Sequence, residues 1–387
     1  MTVRIKKERF IPFLAILFLL FVGLILIMIH GCSKEAGGPE LFGYSEEQID
    51  ELEDLDVADE VSESGYYTPG LAAALDDGKF TTKYMKYFED KSGGITDKDI
   101  VTAARLSDKG YSTKVIRRLF RKLKDYEITP LIVFDYQSDI DAYIEDCMDH
   151  PDNSTERFEL DGDYVTYFDG AKEADTSLGK LMLANKTNEL GSDFLPGDRT
   201  TLSSEYLNNG AYNVTLNKEA AESLVKWADD SEKAGTPFVM QSGFRTYSTQ
   251  VNVYNNLVNE MGRAGADRVS ARPGFSEHQT SYVVDIVARD EGPHTLDDYK
   301  NTDAFKYTHK TCAKNGWIMR YPDGKETITG YDYESWHYRY LGKKTATRVW
   351  NSKMTYDEYY GLFIDKWKDS DNKPCKAIMD TAQEAYD

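Results

Sequence analysis

Positive charge is in short supply in this chain. Across 387 residues, 46 Lys and Arg face 66 Asp and Glu, leaving a net charge of −20. So acidic a surface repels a phosphate backbone, and nucleic acid is excluded as a partner. Cysteine is scarce too: the four, at 32, 147, 312 and 375, are too few for a disulfide framework and too scattered for a zinc knuckle. If Cys32 is used otherwise, an odd number is left, so no bridge is assigned. Histidine is also sparse, with six in all. The length allows one or two domains and a sizeable core.

Arg4, Lys6, Lys7 and Arg9 precede an uninterrupted apolar run from Ile11 to Ile29. At about 1.5 Å per residue such a helix spans roughly a hydrocarbon core, and basic residues before it place the N-terminus inside and the remainder outside. The run exceeds the apolar region of a cleaved signal peptide. Gly31-Cys32 after it also resembles a bacterial lipoprotein processing site. Residues 1–32 are therefore expected to be a membrane anchor or a lipoprotein signal, with the rest extracytoplasmic at a bacterial cell membrane.

Residues 33–66 are rich in Glu, Asp and Gly and read as an acidic flexible spacer, with a solvated helix over 46–57 as the alternative. Residues 67–180 read as mostly helical. Thr96 caps one helix with Asp99 at its third position, and Ser112 caps a second whose apolar positions are Val115, Ile116, Leu119, Phe120 and Leu123. The basic stripe there (Lys114, Arg117, Arg118, Arg121, Lys122 and Lys124) is expected to be a wet face paired with acidic neighbours, with a grip on an anionic wall polymer as the alternative. Residues 129–134 read as a strand, 140–148 as a helix, and 158–167 as a hairpin around Asp161-Gly162-Asp163. The next segment, 181–345, mixes strands and helices without a βαβ rhythm, which indicates an α+β fold with a small antiparallel sheet. Residues 346–387 read as a helical tail.

The chemistry-bearing stretch is Ser276-Glu277-His278-Gln279-Thr280-Ser281-Tyr282-Val283-Val284-Asp285, answered by Glu334-Ser335-Trp336-His337. Two imidazoles and a carboxylate, His278, Asp285 and His337, suffice for a catalytic zinc with one tetrahedral position left for water. Glu334 would be the base. Each fragment alone is a cheap coincidence, and Glu291 with His294 repeats the Glu-x-x-His spacing. His278 and Asp285 have opposite strand parity, so a bend is needed at Gln279-Thr280-Ser281. Glu334 and His337 would diverge on a straight strand, so a turn is needed there too.

The neighbouring words decide between coincidence and site. Ser242-Gly243-Phe244-Arg245 through Gln250, Ala271-Arg272-Pro273-Gly274-Phe275, Gly316-Trp317-Ile318-Met319-Arg320-Tyr321-Pro322 and Tyr331 to Tyr340 occur in this order. Together they resemble the VanY-type D-alanyl-D-alanine carboxypeptidases, relatives of the lysostaphin and hedgehog-like zinc fold. The resemblance implies a Zn2+ peptidase acting on peptidoglycan stem peptides. It also implies Arg245 as stabiliser of the oxyanion, and Ser276, with help from Gln250, as the binder of the substrate's terminal carboxylate. Two departures, Ser281 where the family commonly has Gly and Tyr282 where it has a small or aliphatic residue, suggest a reshaped wall beside the metal. A monomer is expected.

Overall fold

The computed structural model describes residues 43–91, 93–134, 139–149, 167–211, 213–289 and 296–387. The apolar run at 11–29, Cys32, the start of the acidic spacer, almost all of the hairpin expected over 158–167, Glu291 and His294 lie outside them. Among the described residues no helix is long and apolar enough to cross a membrane. The chain divides into two compact units, Met1–Tyr67 and Thr68–Asp387.

In the first unit, helices Glu46–Asp54 and Ala58–Ser64 occupy much of the segment expected to be a flexible spacer. Its composition understated its local order. Ser45 and Gln48 form a reciprocal capping box, Gly65 closes the second helix in the left-handed region at φ +62°, and the Tyr44 hydroxyl donates to Tyr66 O at 2.9 Å.

The second unit opens with helices Pro69–Asp76, Asp97–Asp108, Thr113–Lys122 and Ile140–Asp149. The caps at Thr96 and Ser112 form as expected. The basic stripe pairs in part with acidic neighbours, Arg117 with Glu89 and Arg118 with Asp141. Residues 129–134, expected to be a strand, are instead helical at Pro130–Val133. Pro130 sits at the first helical position, where its fixed φ suits a helix and its missing N–H is not needed. A short apolar run carries no period that separates a strand from a buried helix.

The C-terminal tail folds back onto these helices. Its helices are Lys343–Ser352, Tyr356–Phe363 and Lys376–Glu384. A Cβ at Gly70 would come within 2.8 Å of Ile378 Cα, so the absent side chain is what lets helix 69–76 lie against the last helix. Arg105, in helix 97–108, donates to Leu362 O at 3.0 Å and Asp365 O at 2.8 Å. Its guanidinium stacks 3.7 Å over the Trp367 ring. The two ends of this unit thus form one helical layer.

The site rests on β-structure. Strands β1 (Lys172–Glu173) and β2 (Asn188–Glu189) pair in parallel, and β3 (Arg199–Thr201) pairs antiparallel with β4 (Thr215–Asn217). The main sheet holds β5 (Phe238–Ser242), β6 (Val283–Ala288), β7 (Trp317–Tyr321) and β8 (Glu334–Tyr340) in the order β5-β6-β8-β7. Each neighbour in it is antiparallel, as α+β reasoning anticipates. One face meets helix Lys218–Lys233. There Leu224, Trp227, Phe238, Val284, Ile286, Trp317 and Tyr338 form the core, and the Trp227 indole donates to Thr311 Oγ1 at 2.8 Å. Strand alternation sends Asp285, between Val284 and Ile286, to the opposite face.

Candidate metal centre

Three local devices bring the distant residues together. The first is the bend before β6: Glu277–Thr280 is a turn of 3-10 helix, and Ser281 follows in the left-handed region at φ +63°. This is where the parity of His278 and Asp285 demands a change of direction. The second is register: Asp285 and His337 are directly opposite across β6 and β8, which places both side chains on one face. The third is a shift in the β7–β8 pairing. Met319 pairs with Tyr338 and Tyr321 with Glu334, so two steps on β7 match four on β8. That irregularity returns Glu334 to the side of His337, which a straight strand would forbid.

The resulting geometry is tight. One ligand atom each from His278, Asp285 and His337 lies within 4.8 Å of the others, and all three residues are buried. His278 Nε2 is 3.3 Å from Asp285 Oδ2, and His337 Nδ1 is 3.0 Å from Asp285 Oδ1. Glu334 Oε2 is 3.4 Å from His337 Nδ1. The His278 ring is set by its other nitrogen, whose Nδ1–H donates to Gly243 O at 2.6 Å. A side chain at Gly243 would meet Thr215 O at 2.8 Å, so this carbonyl is presented by a residue that must be glycine.

A divalent cation fits this donor set. Asp285 Oδ1 is buried and has no hydrogen-bond partner despite its short approach to His337. Acceptor atoms here converge on common space rather than on one another's protons. Two imidazole nitrogens and a carboxylate oxygen are a zinc-type set.

Electrostatics follow from burial and neighbours. Burial pushes the Glu334 carboxyl up to about 8; His337 partly offsets this and Asp285 adds to it. His278 is lowered, first by burial and then by the Arg245 charge. For His337, burial alone would lower the value, but the Asp285 and Glu277 carboxylates outweigh it and hold the imidazole up at about 9. Asp285 is held well below the usual carboxylate range because its two imidazoles outweigh burial.

All seven residues singled out from the sequence, namely Arg245, Gln250, Ser276, His278, Asp285, Glu334 and His337, line one cavity of about 190 Å³. Arg245 donates to Gln250 Oε1 at 2.8 Å and to Ser242 Oγ at 3.2 Å. Gln250 in turn donates to Ala271 O at 2.7 Å and Ser270 Oγ at 3.2 Å. Its amide is thereby committed to protein partners, so it positions Arg245. Ser281 and Tyr282 do not line the cavity. Ser281 is fully buried and Tyr282 packs against the core, so neither side chain is itself part of the cavity wall. His309 lies elsewhere, against Phe305 and Trp350, and Cys312 is buried with its thiol pushed up to about 12 by burial.

Sequence reasoning overlooked Glu277, buried beside His337, and the walls formed by Val253, Leu257, Leu296, Tyr321 and Tyr331. The place of Glu277 between Ser276 and His278 was the available signal. A carboxylate in so acidic a chain does not stand out without its partners.

The VanY family model, described as D-alanyl-D-alanine carboxypeptidase, matches residues 213–343. The chain is 33% identical over 207 residues to the putative carboxypeptidase YodJ of Bacillus subtilis (strain 168), a match covering 52% of this chain and 76% of that one. It is 27% identical over 197 residues to a D-alanyl-D-alanine carboxypeptidase of Enterococcus faecalis (strain ATCC 700802 / V583), covering 49% of this chain and 68% of that one. Among solved structures, the LdcB LD-carboxypeptidase aligns at 32% identity and a TM-score of 0.46, covering 50% of this chain and 92% of that one.

Proposed function

Since the chain belongs to the VanY family of D-alanyl-D-alanine carboxypeptidases, we propose that it is a zinc-dependent enzyme that removes the terminal D-alanine from peptidoglycan stem peptides. The observation that carries this is the meeting of His278, Asp285 and His337 around one point with Glu334 beside them. His278, Asp285 and His337 would hold the ion. When bound, zinc supplies a Lewis acid for the scissile carbonyl and a water acidified to a pKa of about 7.

The chain's own groups divide the remaining work. Glu334, with its carboxyl shifted upward by burial, takes a proton from water and returns it to the departing amine. Arg245, held from two sides by Gln250 and Ser242, offers fixed positive charge to the carbonyl oxygen as it becomes an oxyanion. The buried Ser276 hydroxyl receives the terminal carboxylate. The apolar Val253, Leu257 and Leu296 walls limit water in a cavity suited to a small terminal residue. Every one of these groups comes from a single chain, so a monomer is complete. Residues 1–32 tether it to the outer face of the membrane, where its substrate lies.

Two alternatives have different signatures. An LD-carboxypeptidase would act on tetrapeptide stems, and a non-catalytic wall-binding module would release nothing. Incubation of the purified protein with pentapeptide and tetrapeptide stems, with the products weighed, separates all three; loss of D-alanine from the pentapeptide is expected. Glu334→Ala should abolish release while leaving zinc bound. Unchanged release in that variant would sink the catalytic proposal.

A further inference from the structure

Beyond the three ligands lies a buried chain of charges that runs from His337 into the C-terminal tail. His337 turns Nδ1 toward Asp285 and Glu334, so its other nitrogen, Nε2, points away from them and into the protein. Nε2 lies 3.8 Å from Glu277 Oε2. Both atoms are buried and neither has a hydrogen-bond partner among the described residues. The second oxygen of Glu277 is fully used: Oε1 accepts from Arg320 Nε at 3.0 Å and from an Arg339 terminal nitrogen at 2.8 Å. Arg320 is gripped from its far side by Asp357, at 2.6 and 3.0 Å. Asn185 also donates to Asp357, at 2.7 Å. Arg339 is anchored by Lys180 O at 2.9 Å and Met182 O at 2.7 Å. The side chains of Glu277, Arg320 and Arg339 are completely inaccessible to water.

Asp357 belongs to helix 356–363 in the tail, beyond the segment that matches the family model. We infer that Glu277 and Asp357 are positioning residues for His337: Asp357 fixes Arg320, Arg320 and Arg339 fix Glu277, and Glu277 aims one oxygen at Nε2. This rests on His337 being a zinc ligand through Nδ1. A metal on Nδ1 leaves the proton on Nε2, and a carboxylate facing that N–H sets ring orientation and strengthens the ligand. The charges also balance, since two guanidiniums face two carboxylates. Removing Asp357 leaves Glu277 alone to compensate both, which weakens it as an acceptor for His337. In Glu277→Gln the amide oxygen is claimed by the arginines, and the NH2 group then opposes the imidazole N–H, donor against donor. The tail thereby contributes to the metal site without touching it.

The test measures zinc affinity by competition with a chromophoric chelator, with each variant's fold checked by its thermal transition. Glu277→Gln should weaken zinc binding on the order of 10–100-fold, and Asp357→Asn should weaken it in the same direction by a smaller factor. Arg348→Ala, which breaks a different tail contact, the ion pair with Asp387, should lower the transition and leave zinc affinity unchanged. Wild-type affinity in folded Asp357→Asn would overturn the role of the tail. Should a variant fail to fold, the imidazole 15N spectrum of the zinc-loaded wild type decides: His337 is expected to be metallated at Nδ1, with an exchange-protected proton on Nε2. Metallation at Nε2 would overturn the inference. A wild-type protein that takes up no zinc would instead overturn the zinc assignment.

Discussion

Replacing Ser281 with glycine should stabilise this protein, and the size of the effect can be worked from the bend it occupies. Ser281 sits at φ +63°, a region that costs a residue with a Cβ roughly 1–2 kcal/mol. Its hydroxyl is buried without a hydrogen-bond partner, a burden of about 1–3 kcal/mol. Against these gains, glycine costs about 0.5–1 kcal/mol through the entropy of the unfolded chain, and the lost packing of the side chain costs roughly 1 kcal/mol. The net expectation is a gain of roughly 0–3.5 kcal/mol, centred near 2, read as a rise in Tm of a few degrees for a protein of this size. Differential scanning calorimetry of the wild type and Ser281→Gly at one pH and one metal load measures it. Cleavage of stem peptide should be unchanged, because the side chain does not line the cavity. A fall in Tm of comparable size would refute the reasoning and show that the hydroxyl has a partner worth more than the backbone strain.

Further expectations concern the chemistry and its pH dependence. Glu334→Gln should lower kcat by about 10²–10⁴-fold, with bound zinc unchanged by metal analysis. Arg245→Met should cost about 10²–10³-fold in kcat. Gln250→Leu should reproduce part of that loss, and the double variant should be no worse than Arg245→Met alone, because Gln250 acts through Arg245. In the chelator-treated protein, His337 is raised to about 9 and Glu334 to about 8, both above their unfolded values of about 6.5 and 4.3. Groups raised in the folded state lend stability at low pH and lose it as pH rises through the folded values. Asp285 and Glu277 are depressed, so theirs is lost on acidification below about pH 4. The lowered His278 works the other way and offsets Glu334 only below its unfolded value of about 6.5, so stability without metal should decline from about pH 6.5 to pH 9, and saturating zinc should flatten that decline by displacing the protons. A transition temperature that rises over this range without metal would contradict the assignment.

Much of the site could be read in the sequence because its demands are local and chemical. Opposite parity of His278 and Asp285 required a bend, and Gln279-Thr280-Ser281 supplies it. The Glu334-x-x-His337 spacing required an irregular strand, and the shifted β7–β8 register supplies that. What escaped notice depends on contacts between distant segments. Glu277 is one acidic residue among many until Arg320, Arg339 and Asp357 close around it. The short run at 129–134 has the same composition whether strand or helix, and a proline at the first helical position settles it. The two helices after Gly43 are held by caps, which a spacer reading based on charge content passes over. The tail, opaque as sequence, packs against helices 69–76 and 97–108 from the other end of the unit.

The proposed chemistry requires one divalent ion shared by His278, Asp285 and His337. An anomalous difference map collected at the zinc edge from zinc-loaded crystals tests it directly. One strong peak is predicted at about 2.0–2.2 Å from His278 Nε2, an Asp285 oxygen and His337 Nδ1, absent in crystals of His337→Ala treated identically. A zinc-loaded crystal whose peak lies away from these three atoms, or that shows none, would contradict it.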